Sequence, residues 1–452
     1  MDLKDKTVLV AGAGKSGVDS SKLLLSRGAR VVLFDEKTKE TEDEVKARVA
    51  SKGELDIWIG ELKKDRLSEI AFMVISPGIA VDAPFTEIIR EKNIPIWSEI
   101  ELAFTLSESR EIAAITGTNG KTTTTTLVGE IMKEYNSSTF VVGNIGTPYT
   151  SVANDIKKES AVVAEISSFQ LETIIDFKPR VSAILNLTPD HLDRHYTFEN
   201  YANTKKKITM NQTSSEVCVL NYDDELCREF ADSIPARPLF FSRTHDLEEG
   251  VYTSDGYIVI RENGKKLPVI KLSDIKLLGT HNIENYMAAI AIAYSMDVPI
   301  ATIEKVCKAF MGVEHRIEYV RTVNGVDYYN DSKGTNPDAA IKAVEAMVKP
   351  AILIGGGYDK GSSYDEWVES FGKKVKKLVL IGKTAEKIAK CCDEHDFKDY
   401  VMAEDFESAV KLCAESAEEG DCVLLSPACA SWDMFKSYEE RGRIFKDLVN
   451  KL

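Results

Sequence analysis

Short apolar runs alternate along the chain with stretches whose apolar positions recur every three or four residues. This pattern predicts buried strands alternating with helices, an α/β architecture with largely parallel sheets. In residues 1–104, Val8–Val10, Val31–Phe34 and Phe72–Ile75 read as strands, with a helical pattern at Val18 and Leu23–Leu25. That block ends in IWSEIELAFTLSESR, a predicted helix running into a polar link. Residues 105–312 restart the alternation with IAAIT, FVVG, AVVAEIS, VSAILNL and EVCVLN, and close on a helix from about Asn282 to Met296. Residues 313–452 begin with a hairpin predicted at Asn324-Gly325, a favoured two-residue turn. A helix follows with Pro337 in its first turn, then the strands AILIGGG, KLVLIG and DCVLLSPA.

At 452 residues the chain exceeds what one hydrophobic core usually supports, so the three blocks read as domains. A net charge of −15 argues against a nucleic-acid partner held through its phosphates. It leaves room for a small anion bound by backbone N–H groups at a helix start. The eight cysteines contain no C-x-x-C pair, and reduced core thiols are expected. No signal peptide and no membrane-length apolar run are seen, so a cytoplasmic chain without membrane insertion is expected.

Two glycine-rich loops follow strands. GAGKSG at 12–17, with Asp35 ending the next strand, has the G-x-G-x-x-G form of a dinucleotide site. Read alone, it allows an NAD-dependent oxidoreductase. TGTNGKTT at 116–123 is the stronger signal: glycines to fold round phosphate oxygens, Lys121 to neutralise them, Thr122 to reach Mg²⁺. The common P-loop spacing needs glycine at 115, where this chain has isoleucine. Glu165 ends a strand, where it could ligate a metal or cap a helix. His191 lies between Asp190 and Asp193, and Lys205 opens a KKK run that in isolation reads as a solvated face. GNIG, NDSKGTNPD and SPACASWDMF also follow strands, HNIEN puts Asn282 and Asn285 on one helical face, and EHR pairs His315 with Arg316 near the block junction. NDSKGTNPD is expected to face solvent or a ligand, and SPACASWDMF to be too small and polar for core. So many loops of this kind suggest ligand crevices at strand C-termini.

Together these stretches resemble the Mur ligases, ATP-dependent amide ligases of bacterial cell-wall precursors, over the whole chain and in the family's order. TGTNGKT matches that family's shortened P-loop; NDSKGTN and SPACASWDMF, with GAGKSG, match the branch that adds D-glutamate. The resemblance implies a Rossmann-like N-terminal domain, a central P-loop ATPase-like domain and a C-terminal Rossmann-like domain. ATP would phosphorylate the carboxylate of UDP-MurNAc-L-Ala, and the amine of D-glutamate would displace phosphate from the acyl phosphate. Joining two anions at contact costs about 1 kcal/mol in water and about 4 at an effective dielectric near 20, so a dense set of cations is expected.

By resemblance, Gly117, Thr118, Asn119, Gly120, Lys121, Thr122 and Thr123 hold ATP phosphates. Asn282 and Asn285 lie near adenine, Asp331 near ribose, and Arg316, Lys333 and His315 near the phosphates. Two Mg²⁺ ions are implied, with Thr122, Glu165, His191 and a carbamylated Lys205 as ligands. Lys121, Glu165, His191 and Lys205 are the implied catalytic set. GAGKSG becomes a UDP cradle through Gly14, Lys15 and Ser16, with Asp35 and Gly78 toward uridine. Asn144, Ser167 and His191 would meet the muramoyl-alanine portion, and Thr335, Lys360, Ser431 and Tyr438 would meet D-glutamate. Tyr438 stands where relatives often carry phenylalanine. A monomer is expected, with domain closure assembling the site.

Overall fold

A computed structural model describes residues 1–452. Three sheets follow one another along the chain. The first is parallel throughout, in the order β3-β2-β1-β4-β5, with β1 Thr7–Ala11, β2 Arg30–Asp35, β3 Leu55–Ile59, β4 Ile70–Ile75 and β5 Ile96–Ser98. β1 pairs with β2 on one side and β4 on the other, so its C-terminal end is a switch point, where α/β sheets open a crevice.

The second sheet has the order β14-β13-β12-β11-β10-β9-β6-β8-β7. Its members are β6 Glu111–Thr116, β7 Thr139–Gly143, β8 Ala161–Glu165, β9 Val181–Ile184, β10 Val217–Asn221, β11 Arg237–Ser242, β12 Gly250–Ser254, β13 Tyr257–Glu262 and β14 Lys265–Lys271. β7 through β12 run parallel with β6; β13 and β14 add an antiparallel edge. Here β6 is the switch strand, between β9 and β8. The parallel strands are apolar on both faces, as Ile112–Ile115 and Val162–Ala164 show by complete burial.

The third sheet, β15-β16-β20-β17-β18-β19, comprises β15 Glu318–Val323, β16 Val326–Asn330, β17 Ala351–Gly355, β18 Val375–Leu380, β19 Tyr400–Met402 and β20 Cys422–Leu425. β15 and β16 form the predicted hairpin, with Asn324 and Gly325 both at positive φ, as a type I′ turn requires. Helix Pro337–Ala346 starts with its proline in the first turn, behind an Asn336 cap.

The chain divides into two compact units, residues 1–275 with 283–309, and residues 276–282 with 310–452. The first unit carries the first two sheets and the second unit the third. All eight cysteines are buried free thiols, as their scatter suggests. No helix is long and apolar enough to cross a membrane.

Candidate active site

In the first unit, Gly12–Gly14 leaves β1 and opens helix Lys15–Ser26, whose N-cap Gly14 offers no capping side chain. Gly12 has φ +102°, and a Cβ there would lie 2.7 Å from Ser76 Oγ, just beyond β4. That hydroxyl is buried and has no partner, so the crevice keeps an unsatisfied donor. Asp35 at the end of β2 accepts from the backbone N–H of Ala13 (2.7 Å), Lys37 (2.9 Å) and Thr38 (2.8 Å), tying the two loops together. Lys15 Nζ donates to Gly146 O at 3.1 Å, and Ser16 follows it in the first turn. Gly78, in the turn after β4, borders open space.

The second crevice lies at the end of β6. Gly117 has φ +149° and Gly120 φ +83°, and a Cβ on Gly120 would overlap Asn285 Oδ1. The loop is pinned from below: Thr118 N donates to Asn186 O (2.9 Å) and Asn119 N to Asn186 Oδ1 (2.7 Å). Lys121, first residue of helix Lys121–Tyr135, donates through Nζ to Gly117 O (2.9 Å) and Thr118 O (2.8 Å). Thr122 and Thr123 follow it, both buried.

Glu165 ends β8 opposite Ile115 of β6 and is 1% exposed. Its Oε1 accepts from Asn144 Nδ2 at 2.8 Å, while Oε2 is buried without a partner. Capping does not occupy it: Ser167, not Glu165, caps the next turn, in a reciprocal box with Gln170. Gln170 in turn donates to Glu99 Oε1 at 2.9 Å. Glu99 is fully buried, and its carboxyl is pushed up to about 7 chiefly by burial.

Lys205 is 2% exposed, which overturns the solvated reading of the KKK run. Its Nζ donates to Gly117 O at 2.8 Å and lies 4.7 Å from the centre of the Tyr201 ring. Burial, then the Lys121 charge, holds its pKa down to about 7. His191 sits at φ +51° with its side chain half exposed, 3.5 Å from Asp190 and edge-on to Phe169. Lys121, Glu165 and Lys205 therefore share one strand-end crevice, and the buried unpaired oxygen of Glu165 is a donor atom suited to a hard dication.

In the second unit the loops after β16, β20 and β17 meet. Asp331 is 4% exposed; it accepts from Ser426 Oγ (2.7 Å) and Ile317 N (3.2 Å), and burial raises its carboxyl to about 7. NDSKGTNPD faces solvent only in its second half: Asn330, Asp331 and Ser332 are buried. SPACAS is likewise buried, with Ala428 and Cys429 in an apolar cluster, contrary to expectation. The reason is Arg441, 1% exposed and unsuspected from sequence, whose guanidinium donates to Ser332 Oγ (2.9 Å), Ser332 O (2.8 Å) and Cys429 O (3.2 Å). It supplies the donors that let both polar loops pack inward.

Lys360 Nζ donates to Thr335 O at 3.4 Å and stands over the exposed Trp432 ring at 5.3 Å. Ser431 is buried beside it in sequence, and the carbonyl of Tyr438 accepts from Ser332 Oγ at 2.8 Å. Tyr438 thus contributes backbone here, as a phenylalanine would. Lys333 N donates to the carbonyl of buried His315, and Arg316 is exposed beside it. Asn282 is buried near the start of helix Thr280–Ser295, its Nδ2 donating to Leu278 O at 2.6 Å; Asn285 lies one turn on.

Sequence reasoning missed Ser76, Glu99, Asn186, Tyr201 and Arg441. Ser76 and Asn186 carried a signal, each a polar residue just past a strand.

Glycine loops and a buried lysine and carboxylate at the switch points of consecutive sheets define a nucleotide-using ligase of the Mur type. Models of the Mur ligase MurD-like N-terminal domain (residues 6–98), the Mur ligase middle domain (115–293) and the Mur ligase glutamate ligase domain (315–429) all match. The chain belongs to the Mur ligase family. It is 51% identical to the UDP-N-acetylmuramoylalanine--D-glutamate ligase of Lachnospira eligens, covering 100% of both chains. The enzyme of the same name from Lachnoclostridium phytofermentans is 49% identical, over 100% of this chain and 99% of the relative. Among solved structures, UDP-N-acetylmuramate-alanine ligase from Thermotoga maritima aligns with a TM-score of 0.59 at 20% identity, covering 99% of both chains. MurF ligase from the same organism, in complex with ADP, aligns at 0.56 and 19%, over 100% of this chain and 96% of that one. The three-domain α/β fold is that of the family.

Proposed function

We propose that this protein joins D-glutamate to UDP-N-acetylmuramoyl-L-alanine at the expense of ATP, in peptidoglycan precursor synthesis. The observation that carries the reading is the crevice at β6: a positive-φ glycine loop, Lys121, and a buried Glu165 oxygen without a partner, in a chain about half identical to two full-length ligases of that name. Residues 1–104 bind the UDP sugar, 105–312 ATP, and 313–452 D-glutamate.

Gly14, Lys15 and Ser16 receive the diphosphate at a helix N-terminus, where N–H groups and the helix dipole favour an anion. Gly78 and Asp35 border the uridine end. Gly117–Thr123 and Lys121 wrap the ATP phosphates. Asn144, Ser167 and His191 orient the muramoyl-alanine end so that its carboxylate lies in line with the γ-phosphate. Thr122, Glu165, His191 and a carbamylated Lys205 would hold two Mg²⁺ ions, which when bound offset the charge of phosphate and carboxylate. Asn282, Asn285, Asp331, Arg316 and Lys333 bind the nucleotide. Thr335, Lys360, Ser431 and Tyr438 hold D-glutamate with its amine free to attack the acyl phosphate; amide forms, phosphate leaves, and the amine gives up its proton. The protein works as a cytoplasmic monomer.

Purified protein should release phosphate only when ATP, Mg²⁺, UDP-MurNAc-L-Ala and D-glutamate are all present. Turnover with L-glutamate or L-lysine but not D-glutamate would overturn the substrate assignment. Saturable NADH binding would revive an oxidoreductase reading of GAGKSG, for which the chain offers no hydride-transfer acid–base set.

A further inference from the structure

The second unit carries another group of metal-binding side chains that the ligase reaction does not use. Cys391 and His395 are four residues apart at the end of helix Ala385–Glu394, with His395 as its C-cap, so both project from one face. Helix Asp365–Glu369 presents Asp365 to the same face. Asp365 Oδ1 lies 3.0 Å from His395 Nε2 and 3.9 Å from Cys391 Sγ, and one ligand atom from each of the three lies within 4.8 Å of the others. A tetrahedral ion with bonds of about 2.0–2.3 Å separates its ligand atoms by about 3.3–3.7 Å, so small side-chain shifts suffice.

Two further features set this apart from a surface Asp–His pair. The second ring nitrogen, His395 Nδ1, faces Glu369 Oε1 at 3.5 Å, the carboxylate–histidine arrangement that orients metal-bound imidazoles. The charged groups with the largest effect on Cys391 and His395 are the carboxylates of Asp365, Glu369 and Glu394. Of the nearby lysines, Lys387 is turned to Asp359 (3.2 Å) and Lys398 to Asp393 (2.9 Å), while Lys390 pairs with Glu394 itself (3.6 Å).

We infer that Asp365, Cys391 and His395 bind one borderline-soft dication of the zinc class, with Glu369 as the outer partner of His395 and a water in the fourth position. On binding, the Cys391 thiol loses its proton to solvent and ligates as thiolate. The ion joins helix Asp365–Glu369 to helix Ala385–Glu394. The loop bearing Lys360 lies directly before the first of these, and Thr384, directly before the second, accepts from Gly357 N at 3.0 Å. The site would therefore brace that loop from behind.

The test uses the full-length protein, stripped with a chelator and titrated with Co²⁺ in excess Mg²⁺, which occupies oxygen-rich sites. One equivalent should give a thiolate-to-cobalt charge-transfer band, abolished by Zn²⁺ and absent in Cys391→Ser and His395→Gln. Glu369→Gln should keep the band but weaken Co²⁺ binding about 10–100-fold. A wild-type titration without a thiolate band, or a band that survives Cys391→Ser, would overturn the proposal. The wild-type measurement needs no variant to fold, and its readout is independent of ligase activity.

Discussion

Lys205 should exchange its proton near neutrality. Its folded pKa of about 7 comes from burial and the neighbouring Lys121 charge. At pH 8 about nine-tenths of it is free amine, against about 0.4% of an ordinary lysine at 10.4, a gain of about 200-fold in the form that reacts with CO₂. The product, a carbamate, turns that neutral amine into an anion, with the proton released to solvent, near Glu165. Protein equilibrated with ¹³C-bicarbonate at pH 8 should therefore show a carbamate carbon resonance that Lys205→Gln lacks. Lys205→Ala should lose nearly all ligase activity and regain part of it with a short carboxylate or bicarbonate. Identical spectra for wild type and Lys205→Gln, or an Ala variant of undiminished activity, would refute the reasoning.

Two further outcomes follow from buried or strained groups. Glu99 titrates near 7 in the folded chain and near 4.3 unfolded, so its folded-state cost is absent below about pH 4 and grows to on the order of 4 kcal/mol as pH rises to 7. Glu99→Gln removes that cost, so its gain in melting temperature over wild type should widen from pH 4.5 to 7 and then level off; a pH-independent gap would contradict this. Gly120→Ala would place a Cβ at φ +83° against Asn285, at about 1–2 kcal/mol for the backbone alone, and calorimetry should show ADP bound at least about 10-fold more weakly. Unaltered ADP affinity would remove this loop from the nucleotide site.

The sequence pattern announced the strands well, because parallel strands buried on both faces leave unbroken apolar runs: Phe72–Ile75 and Val162–Ala164 are examples. The two glycine loops were equally visible, since turns at positive φ restrict residue choice. The inward packing of polar loops was not. Asp331 and Ser332 look like solvent-facing turn residues until their distant partners are seen: Ser426 Oγ and Ile317 N donate to Asp331, and Arg441, more than a hundred positions away, donates to Ser332. Lys205 is the same case in reverse: three consecutive lysines carry no mark of which one faces inward, and only the packing of helix Phe198–Lys206 selects the first. The resemblance to the family singled it out where residue type alone pointed the other way.

One carbonyl, Gly117 O, accepts from both Lys121 and Lys205. Two amines that share an acceptor and repel one another cannot bind their partners independently. Whatever removes the charge of Lys205 changes how strongly Lys121 holds an anion, and an anion on Lys121 must shift the Lys205 proton equilibrium by the same factor. Nucleotide occupancy and the chemical state of Lys205 are thus reciprocal variables, and with Lys205 carbamylated as proposed, the carbon dioxide tension around the protein would be one of the quantities that set its affinity for phosphate.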